Sequence, residues 1–166
     1  RPEFLARNPS GAVPVLERDD RTVISECTAI TEYIDNLEGE PTLTGKTAKE
    51  RAVVHMMQRW AEAGLLDAVA TYFHHATEGL EPQIETYQNA EWGAHSRSRA
   101  EAGMRYLDEA LNRQPYLAGD RFTMADITAL AGLAFADFAG VGVPGELKAL
   151  SEWRARVGER PSIAAA

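Results

Sequence analysis

The chain has 166 residues, 45% of them hydrophobic, and a formal net charge of −8 at pH 7. This length can bury a substantial core, in one domain or slightly more than one. Nucleic acid and anionic membrane surfaces are excluded as expected partners, because binding to either depends on clustered Lys and Arg, and the sequence has no such cluster.

The sequence also argues against disulfides, metal sites and membrane spans. It has one cysteine, no Cys/His spacing typical of zinc sites, and two adjacent histidines, His74 and His75, which we interpret as solvent-exposed. The longest apolar stretch, residues 124–139, contains Asp126 and Asp137 and is shorter than the about 20 residues of a membrane helix. With no signal peptide in the sequence, these features predict no metal, no membrane association and a location in the reducing cytoplasm.

The first predicted elements are the two strands of a β-hairpin. Residues 13–17 and 22–24 are β-branched or apolar runs, and residues 18–21 between them have the composition of a turn. Pro14 is compatible with the start of a strand, where its missing N–H is tolerated. The hairpin therefore leaves main-chain groups of Val13 unpaired at one end.

A helix is predicted to follow the hairpin at once. Ser25 stands immediately before it, where its hydroxyl is expected to cap the first turn. The apolar residues that recur at helical spacing are Cys27, Ile30, Ile34 and Leu37. Gly39 and Pro41 end the helix, and the polar residues 39–46 indicate a linker between domains.

The remainder of the sequence is helical in pattern. An amphipathic stretch runs from residue 47 to about residue 75, with Gly64 as the natural place for a bend. A more polar helix is predicted over residues 90–112. Met57, Trp60 and Gly64 lie on the first of these helices, and by themselves such residues belong more often to a core or a subunit interface than to a pocket.

A second strong signal is a capping box at Thr123 and Asp126. Thr123 can accept the N–H three residues on, and Asp126 can reach back to the Thr123 N–H, an arrangement that stabilises a helix start by about 1 kcal/mol. The helix that follows is apolar on nearly every side, so it is expected to run through the centre of a helical domain. We assign both residues a structural role without substrate contact.

These segments together resemble the cytosolic glutathione S-transferases. The resemblance is carried by residues 8–16, Asn-Pro-Ser-Gly-Ala-Val-Pro-Val-Leu, then by residues 25–30, Ser-Glu-Cys-Thr-Ala-Ile, and by the capped helix after Thr123. It implies an α+β part (residues 1–38) that is the second half of a thioredoxin-like domain. The linker 39–46 and an all-α helical-bundle domain (residues 47–166) follow.

The resemblance also implies a glutathione site. In the family, the residue before a cis-proline pairs its main chain with the cysteinyl part of glutathione, and an acid-serine pair at the next helix start holds the γ-glutamyl end. By position these are Val13 with Pro14, and Glu26 with Cys27, where cysteine replaces the usual serine. The Val13–Pro14 bond is accordingly expected to be cis. An alternative for Cys27 is a nucleophilic thiol with its pKa lowered by the helix N-terminus, but a binding or packing role is preferred.

The implied activity is conjugation of the glutathione thiolate to a small electrophile, with Met57, Trp60 and Gly64 as candidate lining of the electrophile pocket. A hairpin alone is marginal in water, and the family places a strand, a helix and a strand before this point, so we expect partner strands outside the sequence. The family's catalytic Ser, Tyr or Cys lies in that part, which leaves the catalytic residue unknown.

Two further expectations concern assembly and class. The resemblance implies a homodimer in which the hairpin domain of one subunit meets the first long helices of the other, with Val53, Met56, Met57 and Trp60 as candidate contacts. The alternative function, from a different class, is a glutathione-transferase-like module that binds or scaffolds without catalysis.

Overall fold

The computed structural model describes residues 2–164. Outside the described residues lie Arg1, at the start of the first predicted domain, and Ala165 and Ala166, at the end of the second. The chain forms two compact units, Arg1–Arg51 and Ala52–Ala166. This division falls beyond the predicted linker, residues 39–46, which belongs to the first unit. The domain boundaries inferred from the sequence stay a prediction.

The first unit contains a helix, a two-stranded sheet and a second helix. Helix α1 covers Pro2–Arg7, strand β1 Val15–Glu17, strand β2 Val23–Ser25 and helix α2 Cys27–Asp35. The strands are antiparallel, with Val15 opposite Ser25. The hairpin and the helix predicted from the sequence are thus confirmed. The predicted cap is wrong, because Ser25 ends strand β2 and the N-cap residue of helix α2 is Glu26.

Helix α1 was not anticipated from the sequence. Its six residues are too few to show an apolar period, although Pro2 at the first helical position, Glu3 in the first turn and Arg7 in the last turn are typical helix signals. Among the described residues of the first unit, no apolar side chain is buried; the buried residues are Asn8, Thr44 and Gly45.

The second unit is all helical and holds the hydrophobic core. The boundary between the units falls inside helix α3, Ala48–Ala61, which continues through a π-helical turn, Glu62–Leu66, into helix α4. The remaining helices are α4 (Asp67–Ala76), α5 (Ala90–Leu111), α6 (Met124–Phe138), α7 (Lys148–Gly158) and α8 (Pro161–Ala164). Within residues 2–164, no helix combines the length and apolarity needed to cross a bilayer.

The π-helical turn lies where the sequence suggested a bend. Gly64 packs against Gly103 of helix α5 so closely that a Cβ built on Gly103 would overlap the Gly64 carbonyl. A Cβ on Gly64 would lie 3.8 Å from the Gly103 Cα, which is ordinary contact. The absence of a side chain at Gly103 is therefore what allows helix α5 to approach the turn, and Leu65 beside it is fully buried.

Helix α6 begins at the capping box that the sequence predicts. The Asp126 carboxylate accepts hydrogen bonds from the Thr123 N–H (2.9 Å) and the Thr123 hydroxyl (3.1 Å) through Oδ2. Its Oδ1 accepts from the Leu117 N–H (3.1 Å) and from the Trp153 indole N–H (3.0 Å) of helix α7. Asp126 is fully buried, so one carboxylate joins the start of the central helix to two other segments.

A polar cluster closes the connection from helix α4 to helix α5. His74 Nδ1 lies 2.7 Å from Glu85 Oε1, and Glu85 also accepts the Leu80 N–H (3.0 Å). The Gln88 amide donates to the His74 carbonyl at 2.8 Å. His74, interpreted from the sequence as a solvated histidine, is thus 40% exposed and paired with a carboxylate.

Candidate functional site

A small cleft lies at the open end of the β-hairpin in the first unit. Its volume is about 40 Å³. The residues that line it are Asn8, Ala12, Val13, Pro14, Glu26 and Cys27. All four residues that the sequence analysis assigned to glutathione binding therefore line one cleft, and Asn8 and Ala12 are additions to that set.

The register of the hairpin explains why these residues meet. Val15 pairs with Ser25, and two residues beyond this last pair the chain reaches Val13 on one side and Cys27 on the other, both of which line the cleft. The Val13–Pro14 peptide bond is cis, as predicted. Neither the N–H nor the C=O of Val13 forms a hydrogen bond within the described residues, and the residue is 78% exposed.

The loop before Val13 is held by its own polar groups. The buried Asn8 donates from Nδ2 to the Ala12 carbonyl (2.8 Å), and its Oδ1 accepts the Ser10 hydroxyl (3.0 Å). Gly11 has a φ of 71°, a conformation that favours glycine. The loop is thereby fixed up to Ala12, and the unpaired main chain of Val13 follows it directly.

Glu26 sits at the other side of the cleft with an unusual backbone. Its φ is 71° and ψ is 125°, a sparsely populated region for a residue with a side chain, and such strain is concentrated at functional sites. It is the N-cap of helix α2 and its carbonyl accepts the Ile30 N–H at 2.9 Å, but its side chain caps nothing. Within residues 2–164 the carboxylate has no hydrogen-bond or ion-pair partner.

Cys27 is the first residue of helix α2 and has an exposed, free thiol. The first N–H groups of a helix have no acceptor inside the helix and carry the positive end of its dipole. The cleft therefore combines a carboxylate from Glu26, a thiol and an open N–H from Cys27, and an unpaired peptide group from Val13. These groups offer hydrogen-bond donors and acceptors, and one negative charge, to a ligand that lies across the mouth of the cleft.

The far end of helix α2 is anchored by Asp35. Its carboxylate accepts hydrogen bonds from three N–H groups, those of Thr42, Leu43 and Thr44, at 2.8–3.1 Å. It also accepts the Thr42 hydroxyl (3.1 Å) and the Thr44 hydroxyl (2.7 Å). Burial opposes ionisation of this carboxyl, but these hydrogen bonds outweigh it and lower the pKa of Asp35 to about 2. We call this set of four residues the Asp35 clamp.

The three candidate pocket residues all lie in the second unit. Met57 is 4% exposed, with its sulfur 3.8 Å from the Tyr106 hydroxyl. Trp60 stacks on Tyr106, the ring centroids being 4.7 Å apart, and is 52% exposed. Gly64 faces Gly103. The structure thus gives Met57 and Gly64 packing contacts and leaves only Trp60 with a large exposed surface, and the pocket role of all three stays a prediction.

A hairpin followed by a helix with an open N-terminus, and then by an all-helical unit, defines a protein with a thioredoxin-like part and an all-α part. Residues 1–37 match the model of the glutathione S-transferase N-terminal domain, and residues 90–156 match that of the C-terminal domain. Glutathione S-transferase 2 of Saccharomyces cerevisiae is 59% identical over 163 residues, which are 98% of this chain and 70% of the yeast protein. The chain belongs to the glutathione S-transferase family, a family of transferases.

Solved structures agree with this assignment. The crystal structure of Gtt2 from Saccharomyces cerevisiae is 58% identical and superimposes with a TM-score of 0.96, covering 99% of this chain and 79% of that one. A theta class glutathione S-transferase from Xanthomonas axonopodis pv. citri, solved with glutathione bound, is 28% identical with a TM-score of 0.78 and covers 99% and 76%. FtsZ-localized protein A of Caulobacter vibrioides is 30% identical, covering 96% of this chain and 72% of that protein. The thioredoxin-like and all-helical fold predicted from the sequence is confirmed.

Proposed function

We propose that this chain binds glutathione in the cleft between Val13 and Cys27 and that the bound thiolate is conjugated to a small electrophile. The observation that carries the proposal is the unpaired main chain of Val13 beside the open start of helix α2 in one cleft. The glutathione bound in the Xanthomonas relative supports the same ligand.

The Val13 main chain suits the cysteinyl part of glutathione. Its N–H and C=O can pair with the N–H and C=O of an extended peptide, in the way that a strand is added to the edge of a sheet. The contact is independent of the identity of the Val13 side chain, and the residue is 78% exposed. It would hold the cysteinyl sulfur at the open side of the cleft, where an electrophile can approach.

The start of helix α2 suits the γ-glutamyl end. The unpartnered Glu26 carboxylate can accept hydrogen bonds from the α-ammonium group, and the Cys27 N–H can donate to the α-carboxylate at the positive end of the helix dipole. The Cys27 thiol is a weaker hydrogen-bond donor than the serine hydroxyl usual in the family. The two charges of the γ-glutamyl end therefore meet two complementary groups, the Glu26 carboxylate and the Cys27 N–H.

The nucleophile is the sulfur of glutathione rather than a side chain. A hydrogen-bond donor to that sulfur favours thiolate over thiol, and the thiolate then forms a carbon–sulfur bond while the leaving group departs with its electron pair. The cleft residues described above bind and orient the peptide, and the donor to the sulfur is assigned to none of them. The catalytic residue therefore stays unassigned.

Calorimetry on the full-length protein tests the binding step. Glu26→Ala removes the carboxylate that faces the ammonium group, and we expect glutathione affinity to fall about tenfold, the effect of losing one charge-assisted hydrogen bond in a partly solvated site. Glu38→Ala is the matched control, because Glu38 is an exposed carboxylate of the same unit with no partner among the described residues. Equal affinity of wild type and Glu26→Ala would overturn the assignment.

The non-catalytic alternative is favoured by one observation, the name of the Caulobacter relative, which is not that of a transferase. Binding and turnover separate the two functions. A transferase consumes glutathione when mixed with an activated aryl halide, and a binding module retains affinity for glutathione without consuming it. We expect the rate of glutathione consumption to rise with glutathione concentration and to level off as the site at Glu26 fills.

We also propose that the protein is a cytoplasmic homodimer. Met56 and Trp60, on helix α3, are 49% and 52% exposed, and such large apolar side chains on one helix favour an interface. Light scattering at micromolar concentration should report twice the subunit mass, and Trp60→Glu should shift the protein towards monomer. A monomeric wild type would contradict this proposal.

A further inference from the structure

Helix α2 presents its N-terminus to the cleft. The helix has nine residues, from Cys27 to Asp35, and none of them is buried. Ile34, the apolar residue nearest its end, is 54% exposed. Within the described residues, the contacts that hold this helix are therefore mainly polar.

The Asp35 clamp supplies such contacts at the opposite end of the helix. Its donors come from three consecutive residues, Thr42 to Thr44, so the carboxylate is held from several directions at once. Thr44 is fully buried although the surrounding unit has no buried apolar side chain. The clamp is therefore the most enclosed polar contact of helix α2.

A second layer of polar contacts extends the clamp to the start of helix α3. The Asn36 amide donates to the Glu32 carbonyl (2.8 Å) and to the Thr44 hydroxyl (3.1 Å), and its Oδ1 accepts from the Arg51 guanidinium (3.1 Å). Arg51 also forms an ion pair with Glu32. These contacts thus join the last turn of helix α2 to Thr44 of the clamp and to Arg51 of helix α3.

We propose that Asp35 is a positioning residue for glutathione, acting through the rigid helix that carries Glu26 and Cys27. Nine helical residues span about 13 Å, so a tilt of about 10° at the clamped end displaces the other end by roughly 2 Å. Displacements of this size weaken contacts to a ligand severely. The inference rests on the proposed function, because the ligand at the helix start is glutathione.

The first test compares Asp35→Asn with wild type in the full-length protein. The amide group keeps the size of the carboxylate but points an NH₂ at N–H groups that need an acceptor. We expect glutathione affinity, measured by calorimetry, to fall roughly tenfold. We also expect hydrogen exchange of the helix α2 amides to accelerate in the ligand-free protein. Glu38→Gln, three residues along and exposed, should change neither quantity.

A double-mutant cycle separates positioning from general destabilisation. If Asp35 acts through the helix start, its effect should shrink in the Glu26→Ala background, because the contact that it positions is already lost. Thr44→Val, which removes one hydroxyl donor to Asp35 and keeps the shape of the buried side chain, should give a smaller loss in the same direction. This milder variant serves if Asp35→Asn does not fold.

The outcomes distinguish this inference from the proposed function. A wild-type protein without affinity for glutathione overturns both. A wild type that binds glutathione, with unchanged affinity in Asp35→Asn and Thr44→Val, overturns the role of Asp35 alone. Effects of Asp35→Asn and Glu26→Ala that simply add would also overturn it, since independent sites are additive.

Discussion

Replacing Asp126 by alanine removes the carboxylate that accepts four hydrogen bonds in the helical unit. Three of these are N–H groups, of Leu117, Thr123 and Trp153, and each belongs to a residue that is at most 1% exposed. Water has no ready access to replace the carboxylate. The substitution therefore leaves several buried donors unpaired and also removes half of the capping box at the start of helix α6.

The magnitude follows from these contacts. An unpaired buried donor costs about 1–3 kcal/mol, so three would cost several kcal/mol if they were independent. Burial raises the pKa of Asp126 in spite of its hydrogen bonds, which shows that placing this carboxylate in the interior has a cost of its own, and alanine removes that cost. We therefore expect a net loss of about 3–4 kcal/mol in the free energy of unfolding. For a chain of this size that is a decrease of roughly 10 °C in Tm.

Thermal and urea denaturation followed by circular dichroism measure this loss. Asp137→Ala is the matched control, because Asp137 lies on the same helix but is half exposed and paired with Arg154 at the surface, where such pairs contribute about 1 kcal/mol at most. The loss of stability in Asp126→Asn should lie between those of Asp126→Ala and Asp137→Ala, since the amide oxygen can still accept hydrogen bonds from Leu117 and Trp153. A Tm of Asp126→Ala within 2–3 °C of wild type, by the same Tm scale, would refute the reasoning. So would a large loss of glutathione affinity at an unchanged Tm.

The remaining predictions concern packing and pH. Gly103→Ala should cost about 2–3 kcal/mol because its Cβ meets the Gly64 backbone, whereas Gly64→Ala should stay within about 1 kcal/mol of wild type; equal effects in urea denaturation would contradict the contact. The pKa of Asp35 is lowered to about 2, so its contribution to stability is present above the ordinary value near 4 and is lost as the pH falls towards 2. Wild type should therefore have a larger free energy of unfolding than Asp35→Asn, and the gap between the two proteins should depend on pH. After allowance for partial solvent exposure, we expect this gap to be about 1–2 kcal/mol larger at pH 5 than at pH 2. A difference independent of pH would be inconsistent with this role.

Sequence reasoning succeeded where the signal is local. The capping box at Thr123 and Asp126 depends on residues three apart, and the helix over residues 90–111 shows a long apolar period, so both could be placed from the sequence. The cis bond at Val13–Pro14 was predicted through a short motif. In each case one stretch of chain contains all the groups that decide the structure.

It failed where the deciding partner is distant or the period too short. The donors to Asp35 lie seven to nine residues away across an irregular loop, which no helical or strand period reveals. The second half of the Asp126 network depends on Trp153, far along the chain. Ser25 was expected to cap helix α2, but Glu26 takes that position with a positive φ, a conformation that propensities disfavour for its residue type.

The cleft carries its own reporter, because Cys27 is the one cysteine of the sequence and its thiol is exposed. Among the residues of this sequence, a maleimide or an environment-sensitive fluorophore therefore has one cysteine to react with, beside the peptide groups proposed to contact glutathione. The rate of alkylation can then be followed while ligands, electrophiles or partner proteins are titrated. Occupancy of the cleft becomes measurable in the unmodified sequence, by chemistry that does not depend on turnover.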